Sequence, residues 1–115
     1  MISDPITQGL ASAWQHLDGA LQQDAQHLEC DVLIVGSGAG GGMCAQVLAE
    51  AGLAVILVEQ GPLKSSQDFK LQERYAYPDL YQESAARKTK DKAIRIFQGR
   101  CVGGVVVGAQ KEMEE

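Results

Sequence analysis

Apolar positions change their spacing several times along the chain, and each change predicts an element. From Ser3 to Leu28, residues Ile6, Leu10, Ala13, Trp14, Leu17, Leu21 and Leu28 recur at helical intervals, which predicts a helix with one apolar stripe. Asp4 suits its N-cap and Pro5 its first turn; Gly9 and Gly19 weaken it, and Gly19 is the place for a break. Val32 to Val35 is a short apolar run that predicts a buried strand. Met43, Val47, Leu48 and Ala51 return to spacings of three and four, predicting a second helix that Gly52 ends as a C-cap glycine does. Leu53 to Val58 predicts a second strand. Residues 65 to 92 are polar and irregular. There Ser66 is expected to cap a short helix through Asp68, Leu71, Glu73 and Tyr75, stopped at Tyr77-Pro78 because a residue before proline avoids the helical region. Pro78 to Tyr81 predicts another short turn, and Tyr75, Tyr77 and Tyr81 are expected to pack together. From Ala93 to Gln98, Ile94 and Ile96 alternate with Arg95 and Phe97, predicting a third short strand.

The segment between the first two strands carries the chemistry. Asp31 to Gly61 reads DVLIVGSGAGGGMCAQVLAEAGLAVILVEQG. Gly36, Gly38 and Gly41 form G-x-G-x-x-G, placed after a strand and at the start of a helix. Glu59 closes the second strand, near the roughly 20-residue distance that the βαβ dinucleotide fingerprint requires. Gly36 permits the tight turn, Gly38 lets the backbone approach a pyrophosphate, and Gly41 lets the helix pack close to the sheet. The helix N-terminus offers N–H groups and partial positive charge to phosphates. The carboxylate of Glu59 can accept from ribose hydroxyls and repels a 2′-phosphate, which disfavours an NADP-type ligand. The plainer alternative is a glycine-rich turn in an ordinary α/β protein.

Composition narrows the classes further. A chain of 115 residues, 45% of them hydrophobic, suits one small domain. A net charge of −5 argues against general nucleic-acid or anionic-membrane binding. No apolar run approaches the ~20 residues of a membrane-spanning helix, and the first basic residue is Lys64, so no secretory signal is read and a cytoplasmic location is expected. Cys30, Cys44 and Cys101 are odd in number and widely spaced; they are expected to be buried apolar fillers rather than disulfide or zinc ligands. His16 and His27 lack a ligand cluster and are read as solvated helix positions. Arg87, Lys88, Lys90, Lys92 and Arg95 gather half of the 10 basic residues. Without interleaved aromatics for base stacking, they read as a solvated face.

A second glycine motif, Gln98 to Gly104, reads QGRCVGG. Gly99 and Gly103-Gly104 allow another close backbone approach, and Arg100 is a donor fork suited to phosphate or carboxylate. With Gly36, Ser37, Gly38, Gly40, Gly41 and Glu59, this G-R-x-x-G-G stretch resembles the glucose–methanol–choline (GMC) oxidoreductase family over residues 30 to 104. The choline or long-chain-alcohol dehydrogenase side looks closer than the fungal oxidases. The resemblance implies FAD as cofactor and alcohol oxidation by hydride transfer to the flavin. It also implies that the Gly36–Gly41 turn, Ala39 and Gly40 included, meets the FAD pyrophosphate, and that Glu59 meets the adenosine ribose. Gly103 and Gly104 would lie near the pyrophosphate and flavin ring, with Gln60 and Arg100 completing the cofactor-binding set.

Two departures stand out. The family follows G-G with Ser or Thr and then Asn, whereas here Val105, Val106, Val107, Gly108 and Ala109 follow Gly104. The family is also several times longer and carries its catalytic His late, but no histidine follows His27. The expectation is therefore a truncated or frame-shifted N-terminal portion. It comprises a helical extension over 1–29, a partial Rossmann-like α/β domain of three layers over 30–104, and an atypical tail over 105–115. Such a piece is expected to bind FAD weakly or not at all and to have no catalysis of its own. A binding-only NAD or ADP module and a non-functional product are the alternatives.

Overall fold

The computed structural model describes residues 4–12, 14–70 and 72–104. Its elements are α1 (Pro5–Ser12), β1 (Val32–Val35), α2 (Ala39–Glu50), β2 (Val55–Val58) and α3 (Glu73–Leu80). Short 3-10 turns lie at Gly19–Leu21, Ser66–Asp68 and Gln82–Ala85. β1 and β2 pair in parallel, Val32 opposite Val55 through Val35 opposite Val58. Parallel strands need a crossover, and α2 supplies it. The glycine end of α2 is a Schellman motif: Gly52, at φ +88°, donates to Ala49 and Leu53 donates to the Leu48 carbonyl at 3.2 Å. Asp31 clips the strand entry, its carboxylate accepting from Ala54 N–H at 2.7 Å.

Small residues bring α2 onto the sheet. Gly41, Ala45 and Leu48 are its half-buried positions, whereas Met43, Val47 and Ala51 are exposed. The half-buried face keeps Leu48 from the predicted set but runs through the small Gly41 and Ala45 instead of Met43 and Val47, because a close approach of helix and turn needs small residues there. On the opposite side of the sheet, Leu33 is 57% and Val35 82% exposed. Two strands are found among the described residues rather than three. The α/β βαβ unit is present, and among the described residues no further strand joins its sheet.

The buried core lies outside the sheet, at Ala76, Leu80, Tyr81, Ala85 and Cys101, with Phe69 and Tyr77 packed against it. Tyr77, Tyr81 and Phe97 form an edge-on aromatic triangle with centroids 5.7, 5.9 and 5.8 Å apart. Tyr75 is not in it; its ring lies instead under Lys70 and Arg74. The core is tied to the second glycine motif by Arg100 N–H, which donates to the Leu80 carbonyl at 2.6 Å.

Several local expectations are corrected. The N-terminal helix stops at Ser12: Trp14 N–H turns back to the Gly9 carbonyl, and its ring occupies the space where a Gly9 Cβ would sit. Asp4 does cap α1, accepting from Ile6 N–H at 3.0 Å. Beyond it, Leu17, Leu21 and Leu28 are exposed; a short helix with no surface to cover has little to sustain it. Ser3, Ala13, Leu71 and residues 105–115 lie outside the described residues.

His16 and His27 are exposed but not helical. Ser65 caps the first 3-10 turn after β2, its hydroxyl accepting from Gln67 N–H and its own N–H donating to the Asp68 carboxylate; the expected cap, the side chain of Ser66, lies outside what the structure describes. Pro78 lies inside α3 instead of stopping it; the proline is exposed, while Ala76 and Leu80 beside it anchor the helix in the core. Ala93–Gln98 forms no strand. The chain doubles back between Lys88 and Arg95 in an antiparallel bridge, and Arg87 pairs with Glu83 at 2.8 Å. Among the described residues no strand lies beside the alternating Ile94 and Ile96, and both are exposed. Cys30 and Cys44 are exposed; Cys101 alone of the three is buried.

Candidate cofactor site at two glycine loops

The first loop leaves β1 at Gly36, whose φ of +95° only glycine adopts without strain. Gly36 N–H extends the ladder to the Val58 carbonyl at 2.8 Å. A Cβ on Gly41 would run into the Gly36 carbonyl oxygen and come within 3.4 Å of Ile34 Cγ2, so glycine there sets the closeness of helix and turn. Gly38 and Gly40 face open space, with nothing within 4 Å of an added Cβ. The first intrahelical bond runs from Gly42 N–H to the Gly38 carbonyl at 2.8 Å. Ahead of it, the N–H groups of Ala39, Gly40 and Gly41 have no side-chain cap, since Gly38 is the N-cap residue. Open space over an uncapped helix start is the form of an anion cradle.

Glu59 reaches this loop from the end of β2. Its Oε2 accepts from Ser37 N–H at 3.0 Å and from the Ser37 hydroxyl at 2.7 Å, and its Oε1 accepts from Gly61 N–H at 2.9 Å. Burial pushes the Glu59 carboxyl up, but the bonds from Gly61, Ser37 and Gln60 more than offset it, and the group is held below its ordinary value. The acid is thus ionised and already engaged by its own chain.

The second loop folds against the first. Gly103, at φ +89°, donates its N–H to Ser37 Oγ at 3.0 Å. Gly104, at φ +59°, lies so close that an added Cβ would be 3.4 Å from Gly38 Cα. Val102 N–H donates to the Pro62 carbonyl at 3.0 Å. Cys101 lies beneath the loop, 1% exposed, its Sγ 3.6 Å from the Gly104 carbonyl. Burial, then the Glu59 charge, pushes its thiol pKa up.

Of the sequence-predicted set, Gly36, Ser37, Gly38, Gly41, Glu59, Gly103 and Gly104 converge on one place. Ala39 and Gly40 are exposed at the helix mouth, and Gln60 and Arg100 are exposed at the rim. Sequence reasoning missed Gly61, where an added Cβ would collide with the Arg100 carbonyl; a glycine two residues after the acid was its only signal. No three His, Cys, Asp or Glu side chains gather to hold a metal ion among the described residues, and no described helix is long and apolar enough to cross a membrane.

Residues 31–70 match the FAD binding domain family. Long-chain-alcohol oxidase FAO1 of Arabidopsis thaliana is 35% identical over 83 residues, covering 72% of this chain and 11% of that protein. An uncharacterized GMC-type oxidoreductase of Mycobacterium tuberculosis is 40% identical over 81 residues, 67% of this chain and 13% of that protein. The chain is homologous to the FAD-binding portion of GMC-type oxidoreductases. FAD is the cofactor of this motif, and the cradle over Gly38 and Gly40 has the donors and the room that the pyrophosphate of FAD needs. Against the curated GMC-type relatives the chain spans only 11–15% of their length. A shorter match is to digeranylgeranylglycerophospholipid reductase of Methanothrix thermoacetophila, 54% identical over 33 residues, 29% of this chain and 8% of that protein. No solved structure matches the chain.

Proposed function

We propose that the two loops hold the adenosine diphosphate end of FAD and lead it toward the flavin, within a GMC-type oxidoreductase that oxidises the CH–OH group of an alcohol. The observation that carries this reading is the convergence of three stretches on Ser37: the first loop, Glu59 22 positions away and Gly103 66 positions away. The N–H groups of Ala39, Gly40 and Gly41 face the pyrophosphate, while Gly38 and Gly40 leave room for it. The Glu59 carboxylate, with about four acceptor sites on its two oxygens, is the acceptor offered to a ribose hydroxyl. Gly103 and Gly104 line the path to the flavin, and Arg100 offers a guanidinium to the phosphates from the rim. Bound FAD supplies the hydride acceptor for the alcohol carbon. The described residues hold and orient; none is assigned the proton transfer.

A binding-only module for NAD or ADP is the competing reading, because the helix start and Glu59 address only the half that these ligands share with FAD. The second loop favours FAD. Calorimetric titration with FAD, NAD and ADP separates the two. Binding is expected to be weak, since the sheet has two strands among the described residues and leaves Leu33 and Val35 exposed. FAD is expected to bind at least about tenfold more tightly than ADP, a difference of about 1.4 kcal/mol, with NAD close to ADP. NAD binding above FAD sinks the flavin assignment, and no binding by any of the three at millimolar ligand sinks both readings.

A further inference from the structure

We propose that Ser37 is a positioning residue that couples the acid of the first loop to the backbone of the second, so that the flavin side of the site is set through its hydroxyl. The inference rests on the FAD reading above. Ser37 is 6% exposed, and its Oγ does two things at once: it donates to Glu59 Oε2 at 2.7 Å and accepts from Gly103 N–H at 3.0 Å. A hydroxyl is the smallest side-chain group that can do both. The ionised acid fixes the direction of the hydroxyl proton, which leaves the oxygen lone pairs turned to Gly103. Next to that bond, Gly104 comes within contact distance of Gly38, the residue that caps α2. The separation between the two glycine loops at the path toward the flavin is therefore governed by one oxygen atom.

Removing that atom affects the two halves of the ligand differently. In Ser37→Ala, Glu59 loses the hydroxyl donor but keeps the Ser37-position N–H and the Gly61 N–H, and the start of α2 is untouched, so the ADP half is disturbed less than the second loop. Gly103 N–H loses its acceptor, and the second loop is no longer held against the first. ADP and FAD titrations of the parent, Ser37→Ala and Ser37→Thr separate this from a general loss of structure. Expected is a loss of FAD affinity in Ser37→Ala at least fivefold greater than its loss of ADP affinity, and recovery of both affinities in Ser37→Thr, which keeps the hydroxyl. Amide hydrogen exchange on the ligand-free chain is the second readout. Gly103 should exchange at least fivefold faster in Ser37→Ala and return toward the parent rate in Ser37→Thr. Equal loss of ADP and FAD affinity, or no loss of either, overturns the coupling, as does unchanged Gly103 exchange. If the parent binds neither nucleotide, the FAD reading fails by itself, and the Gly103 exchange rate still decides whether Ser37 joins the loops.

Discussion

Replacing Gly41 by alanine sets two effects against each other. Alanine is the better helix former by about 1 kcal/mol, and Gly41 lies in the first turn of α2. The new methyl, however, would overlap the Gly36 carbonyl oxygen and lie 3.0 Å from its carbon and 3.4 Å from Ile34 Cγ2. Two of these three atoms are backbone and cannot rotate away. Gly36 is further fixed by its bond to Val58 at 2.8 Å, so relief requires α2 to lift off β1. Overpacking of this kind costs roughly 1–3 kcal/mol, and a contact with backbone belongs at the upper end. The net expectation for Gly41→Ala is a loss of about 1–2 kcal/mol. Gly40→Ala is the matched control: the same substitution, one residue earlier, where nothing lies within 4 Å. It should stabilise the ligand-free chain by up to about 1 kcal/mol, yet weaken FAD binding, because the methyl enters the space over the helix mouth. Urea unfolding followed by far-ultraviolet circular dichroism measures both. A Gly41→Ala chain as stable as its parent, or the two variants shifting in the same direction, refutes the close approach of helix and turn.

The acid and the thiol give two more tests. Glu59 has its carboxyl held below the ordinary value in the folded chain, so its contribution to stability is present above about pH 4.3, the unfolded value. It should disappear as pH falls through the lower folded value; the difference in stability between parent and Glu59→Gln should shrink steadily on acidification below about pH 4.3, and a constant difference contradicts the assignment. Cys30 and Cys44 are exposed and Cys101 is buried with its thiol pushed up. Iodoacetamide at neutral pH should therefore modify two cysteines quickly and Cys101 only on unfolding, read by peptide mass spectrometry; rapid Cys101 labelling in the native chain argues against the buried seat beneath the second loop.

The βαβ unit was legible because its signals are local. The runs before Gly36 and Glu59, and Gly52 at the helix end, each act through residues within a turn or two. The failures share the opposite property. Ile94 and Ile96 alternate as a strand does, but alternation cannot supply a neighbour. The stripe from Ile6 to Leu28 has helical spacing, but Leu17, Leu21 and Leu28 beyond Ser12 are exposed. Pro78 argues locally for a stop, and burial of Ala76 and Leu80 outweighs it. At the site, the glycines and the acid could be named from their order along the chain. The hydroxyl between Glu59 and Gly103 could not, because its two partners are distant in sequence and Ser37 carries no mark apart from its place inside the turn.

That distance also governs assembly. Closing the contact between Gly103 and Ser37 brings together residues 66 positions apart, against 22 for Ser37 and Glu59. A threefold longer closure costs about 1 kcal/mol more chain entropy, by logarithmic scaling. Strand pairing and the acid's seat can form first as a near-neighbour unit, with the far loop arriving afterwards. Warming or mild denaturant should reverse that sequence, peeling Gly99–Gly104 away while the paired strands persist, so the second glycine loop opens before the first melts.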